Sequence, residues 1–199
     1  MAADPSAVPL RGLVLISGPS RSGKSRWAEH LAQSSGRSVI YVATGPLRPS
    51  DASWQERLRL HRQRRPASWR CREVGGALVD HLIELRQAPP SSDALEQRPL
   101  LLIDSLGTWL SHHLERDPEA WAALQHQLLE QLRGLHQPVL LVCEEVGWGV
   151  VPPTAIGGLF RDRLGALQQK LMAQSQAAWL VVQGRALDLH ALGTPVPEA

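Results

Sequence analysis

Cysteine is almost missing from the 199 residues: Cys71 and Cys143 stand far apart and outside any C-x-x-C spacing. That excludes a disulfide framework or a cysteine-built zinc site and fits a reducing compartment, so a cytoplasmic protein is expected. No apolar run approaches the roughly 18 to 20 residues of a membrane span. The opening MAADPSAVPLR lacks the charged-then-apolar pattern of a secretion signal. Charge of one sign is also lacking: Lys+Arg 21 against Asp+Glu 19 leaves a net +2, which gives no global pull toward nucleic acid or an anionic membrane. Lysine itself is scarce. Of the 21 basic residues only Lys24 and Lys170 are lysines, so a lysine in a special loop is hard to dismiss as background. One Phe and one Tyr leave little but Trp for stacking on bases, and no internal repeat is visible.

What is present is an alternation. LVLIS (13–17), VIYVAT (39–44), LLLID (100–104), VLLVCE (139–144) and WLVVQ (179–183) are short, continuously apolar runs, as strands covered on both faces require. Helical patterns lie between them: SRWAEHLAQ, WQERLRLHRQ, ALVDHLIELR, LGTWLSHHLE, Pro118 to about His136, and about Ile156 to Ser175. The expected fold class is α/β, a mostly parallel sheet flanked by helices with right-handed crossovers. APPSSDALEQRP (88–99) reads as an exposed connection. The organisation expected is a flexible extension over 1–11, one catalytic domain over 12–190 and a flexible tail over 191–199.

GPSRSGKS, residues 18–25, fits G-x-x-x-x-G-K-[ST] and lies between an apolar strand and a helical pattern, the context this phosphate-binding loop needs. Backbone N–H groups of Gly18, Pro19 excepted, through Ser20, Arg21, Ser22 and Gly23 would cradle phosphates at a helix N-terminus. Lys24 would neutralise β/γ-phosphate charge, and Ser25 would bind Mg2+. Asp104, closing LLLID, is the candidate second metal ligand, with Ser105 after it as a helix cap. RLRLHRQRRPASWR (57–70) sets six Arg around His61, with Arg57 four residues before it and Pro66 placed to stop the helix. Arginines beside an imidazole favour its neutral form, which could attack phosphorus. EEVGWGVVP (144–152) reads as a structural turn, and Cys143, His112 and His113 as packing or surface residues. On these residues alone a plain small-molecule kinase, with His61 idle, and a nucleic-acid-binding ATPase module stay open.

Together SGPSRSGKSRWAE, YVAT, RLRLHRQRRPASWRCREV, LLIDSLGTWL, EEVGWGVVP, FRDRLGALQQKL and WLVVQG, in this order from about Leu13 to Gly184, resemble the bifunctional adenosylcobinamide kinase / adenosylcobinamide-phosphate guanylyltransferase family of cobalamin biosynthesis. The resemblance implies a RecA-like P-loop fold and two activities. One phosphorylates adenosylcobinamide from ATP or GTP. The other transfers GMP from GTP, through a guanylylated histidine matched by His61, onto the resulting phosphate, giving adenosylcobinamide-GDP and pyrophosphate. It further implies nucleotide contacts at Gly18 through Ser25, at Ala43, Thr44 and Gly45, at Arg62, Gln63, Arg64 and Arg65, and at Glu73 and Asp104. The implied partners are a corrinoid substrate and other copies of the chain, as a homo-oligomer and expected trimer, with no nucleic acid. Departures from the family pattern are Asp104 where some members carry Glu, Gln168 for Asn, Gly158 for Arg, and RALDLHALG in place of a basic close.

Overall fold

The structure of the protein, a computed structural model, describes residues 10–46, 49–88, 98–150 and 153–197, without the side chain of Arg57. The expectations for residues 1–9, for most of the 88–99 connection, for 198–199 and for the Arg57 side chain therefore lie outside the described residues.

The chain runs β1 (Leu13–Gly18), α1 (Lys24–Ser34), β2 (Val39–Ala43), α2 (Ala52–Arg64), β3 (Arg70–Glu73), α3 (Leu78–Gln87), β4 (Leu100–Asp104), α4 (Leu106–Ser111), α5 (Pro118–Arg133), β5 (Val139–Glu144), α6 (Ala155–Gln174), β6 (Ala177–Val182), β7 (Arg185–Asp188) and α7 (Leu189–Leu192). The seven strands form one sheet in the order β3-β2-β4-β5-β1-β6-β7, parallel except for the β6–β7 hairpin. The apolar runs become the central strands because both of their faces are covered. Leu13, Leu15, Leu101, Ile103, Val139 and Leu141 meet Trp109, Leu128, Leu164 and Leu167 on one side. Val14, Ile16, Leu100, Leu102, Leu140 and Val142 meet Ala28, Leu31 and Ala32 of α1 on the other. Each such Leu, Ile or Val, fully buried, contributes about 1.5–3 kcal/mol. Among the described residues no helix is long and apolar enough to cross a membrane.

Two strands escaped the sequence reading. RCRE of β3 has no apolar run because it is the exposed edge of the sheet, and RALD of β7 is reached through a tight turn in which Gln183 and Gly184 both have positive φ. The segment LGTWLSHHLE also differs: α4 stops at Ser111. Beyond it the buried guanidinium of Arg163 donates to the carbonyls of His113, Leu114 and Arg116 at 2.7–3.2 Å, which holds the chain there in a turn. His112 and His113 bond the carbonyls of Thr44 and Gly76 instead, so both are structural, as expected.

The topology collects chemistry at one edge. β5 lies between β1 and β4, with Gly18 paired to Glu144, Asp104 to Val142, and Ala43 to both Asp104 and Glu73. The carboxyl ends of five parallel strands thus open on the same side, where ligands of such sheets bind.

Candidate active site

The loop between β1 and α1 is shaped by its glycines. At Gly18 any Cβ would run into the carbonyl oxygen of Val181, and Gly23 takes φ 105°, so the backbone can fold back tightly before α1. Lys24 and Ser25 open that helix, whose first turn carries no acidic side chain to compete for its N–H groups. Lys24 is buried, and its Nζ donates to Pro19 O at 3.3 Å, which curls the ammonium over the loop.

Asp104 ends β4 opposite. Tyr41 Oη donates to Asp104 Oδ2 at 2.8 Å, and His61 Nδ1 stands 4.0 Å from the same oxygen. The Arg65 guanidinium covers the Tyr41 ring at 3.3 Å. Burial, and secondarily the charge of Asp104, hold the Tyr41 phenol well above its usual range, so it stays a donor. The turn after β4 is pinned by Thr44, whose hydroxyl donates to Ser105 O at 2.6 Å and accepts from Ser105 N–H at 2.8 Å. Ser105 is the N-cap of α4, as expected, with its N–H also within reach of Thr108 Oγ1 at 3.3 Å.

α2 brings His61. Asp51 caps its start by accepting from Trp54 N–H at 3.0 Å, and Trp54 Nε1 donates to Pro46 O at 2.9 Å. Arg64 makes a two-point contact with Glu29 of α1, each bond 3.2 Å, and Arg62 pairs with Glu73 at 2.6 Å.

Two cavities meet at these residues. One, of about 600 Å³, runs along Arg21, Ser22, Gly23, Lys24 and Ser25 to Trp54, Leu60, His61 and Arg64. The other, of about 390 Å³, takes in Ser20, Lys24, Ser25, Tyr41, Ala43, Gly45, Trp54, His61, Arg62, Arg65, Glu73, Asp104 and Glu144. Lys24, Ser25, Trp54 and His61 line both, so the space is continuous in chemistry from the loop to β5. Of the expected site residues, Gly18, Pro19 and Thr44 lie behind the walls as supports, and Gln63 lines a separate outer hollow with Arg59.

Sequence reasoning passed over Tyr41, Trp54, Glu29 and Glu144. Glu144 accepts a hydrogen bond from Ser105 Oγ and another from Gly107 N–H at 2.8 Å, and burial pushes its carboxyl above the usual range. Its signal was available: it closes VLLVCE as Asp104 closes LLLID. No cluster of three or more His, Cys, Asp or Glu able to cage a metal occurs among the described residues. The Ser25 hydroxyl and Asp104 carboxylate are hard oxygen donors in one cavity, which suits a magnesium ion that takes its remaining ligands from water and phosphate.

Residues 14–189 match the family described as cobinamide kinase / cobinamide phosphate guanyltransferase. The chain is 36% identical over 183 residues to the bifunctional adenosylcobalamin biosynthesis protein CobU of Salmonella typhimurium, covering 86% of this chain and 96% of that one. It is 32% identical over 186 residues to the Escherichia coli CobU, with the same coverage. To CobP of Pseudomonas aeruginosa it is 37% identical over 176 residues, covering 88% of this chain and 95% of the relative. A solved structure from Pyrococcus horikoshii OT3, only 5% identical, superposes with a TM-score of 0.53 over 92% of this chain and 87% of its own, which is a likeness of fold. Matched over this span, the chain belongs to the cobinamide kinase / cobinamide phosphate guanyltransferase family of enzymes.

Proposed function

We propose that the chain catalyses two successive reactions at the cavities around Lys24. In the first, the hydroxyl of adenosylcobinamide takes the γ-phosphoryl group of ATP or GTP. In the second, the imidazole of His61 attacks the α-phosphorus of GTP: a P–N bond forms, the bond from the α-phosphorus to its bridging oxygen breaks, and pyrophosphate leaves from the loop. An oxygen of adenosylcobinamide phosphate then displaces the imidazole, giving adenosylcobinamide-GDP. Splitting the transfer in two is ordinary nucleophilic catalysis. Lys24 neutralises the departing phosphates in both reactions. Bound by Ser25 and Asp104, Mg2+ would supply further charge neutralisation on the phosphates.

The observation that carries this reading is the position of His61, whose ring shares both cavities with Lys24 and Ser25 and whose Nδ1 lies 4.0 Å from Asp104. A plain kinase has no use for an imidazole there. The test is incubation with GTP labelled at the α-phosphate. The protein should keep the label after denaturation, through a bond labile to acid and comparatively stable to base, as a phosphoramidate is, while γ-label leaves with pyrophosphate. His61→Asn should lose the α-label and still phosphorylate adenosylcobinamide. Wild-type protein that never takes the α-label, even without corrinoid phosphate, would be a plain kinase.

A further inference from the structure

The two proposed acceptors differ in one chemical respect. An alcohol must lose a proton as it attacks phosphorus, whereas a phosphate monoester is already anionic and attacks without giving one up. A proton acceptor is needed in the kinase step alone, and the residues given roles so far do not supply it. Asp104 is the proposed metal ligand and faces His61 at 4.0 Å, and Glu73 is ion-paired with Arg62 at 2.6 Å.

Glu144 differs from both. It ends β5, the strand between the loop strand β1 and the Asp104 strand β4, and pairs in register with Gly18, where the phosphate loop begins. It lines the smaller cavity with Lys24, Ser25 and Asp104. Its two oxygens are oriented by neutral donors only, the Ser105 hydroxyl and the Gly107 amide, and among the described residues no cation lies within ion-pairing distance of it. A carboxylate held in place but not neutralised keeps its capacity to take a proton. Its backbone is fixed as well, since Glu145 N–H donates to Gly18 O at 2.8 Å and Gln168 Nε2 donates to Glu144 O at 2.6 Å.

We infer that Glu144 is the general base of the kinase step and has no part in guanylyl transfer. As the alcohol oxygen bonds to the γ-phosphorus, its proton passes to the Glu144 carboxylate, the bond from the γ-phosphorus to the bridging oxygen breaks, and the nucleoside diphosphate leaves from the loop. This rests on the two-reaction reading above. The competing role for Glu144 is structural, capping α4 and so steadying the turn that carries Asp104, and loss of that would impair both reactions alike.

Glu144→Gln separates the two. The amide oxygen still accepts from Gly107 N–H and the amide nitrogen can donate to Ser105 Oγ, so the turn is preserved while the proton acceptor is gone. A positioned base contributes typically about 10²–10⁴-fold, and the loose transition state of phosphoryl transfer favours the lower end. The kinase kcat with adenosylcobinamide should fall about 100-fold with its KM little changed. Uptake of α-label from GTP and its transfer to adenosylcobinamide phosphate should stay within about threefold of wild type. Glu144→Asp, with its carboxylate set back, should recover part of the kinase rate. Equal loss of both reactions, equal retention, or failure of both variants to take up the α-label would overturn the inference and leave Glu144 a structural residue. The same split seen instead in Glu145→Gln would overturn it in favour of that neighbour. If wild-type protein lacks either reaction, the two-reaction reading itself fails; if wild type has both and the variants do not separate them, only the role of Glu144 fails.

Discussion

Tyr41 shows how much of the site depends on a residue that no motif contains. It is the only tyrosine in the chain, buried in β2, and its hydroxyl donates to the carboxylate proposed to bind metal. Hydrogen bonds to charged groups contribute about 1.5–3 kcal/mol, roughly a tenfold effect at the low end. Tyr41→Phe should leave the fold intact and raise the Mg2+ concentration needed for half-maximal rate about tenfold in both reactions, because Asp104 is no longer aimed. Magnesium titrations of initial rate would show it; a curve superposing on wild type would make the hydroxyl incidental. Lys24, Ser25 and Asp104 were legible because a contiguous motif or a strand end announces them. Tyr41 was not, because inside VIYVAT it looks like core. Glu144 was not, because an acidic pair before a glycine-rich turn looks like a cap, and it does cap Gly107.

At the scale of elements, α2 is the exception among the longer helices. α1 buries Ala28, Leu31 and Ala32, and α5 buries Trp121, Leu128 and Leu132, so apolar contact holds both against the sheet. α2 buries none of its described side chains and is attached through Arg64 to Glu29, Arg62 to Glu73 and Trp54 to Pro46. The Arg62–Glu73 pair is exposed, contributes about 0–1 kcal/mol and is screened by salt, while Arg64–Glu29, with its carboxylate buried, is screened less. The helix that carries His61 should therefore open locally far more often than its neighbours. In hydrogen-exchange measurements its amides should exchange at least tenfold faster than those of α1 and α5, and faster again in high salt. Protection equal to that of α1 would mean that α2 is held by more than these contacts. The arginine-rich run RLRLHRQRR already reads as a solvated helix face, but its partners could not be read from it, since Glu29 lies 35 residues before Arg64 and only the fold joins them.

For the whole molecule, the five apolar runs and their alternation with helices were enough to foresee a parallel sheet, and the exposed edge strands β3 and β7 were missed for want of any apolar signal. What the sheet adds is convergence: residues from the ends of β2, β3, β4 and β5, with α2, share two adjoining cavities around one phosphate loop. The chain has a single G-x-x-x-x-G-K-S, so both proposed reactions must use Lys24, and a triphosphate bound for one excludes a triphosphate bound for the other. Guanylylation of His61 should then be inhibited competitively by an ATP analogue with a nitrogen bridge between its β- and γ-phosphates. The amount of α-label incorporated at saturating GTP should be unchanged, while the GTP concentration needed rises in proportion to the analogue. Lys24→Ala should abolish labelling and phosphorylation together. If labelling instead ran at its full rate under saturating analogue, the protein would have two independent nucleotide sites, and the sharing of Lys24, Ser25, Trp54 and His61 between the two cavities would not bring the reactions to one site.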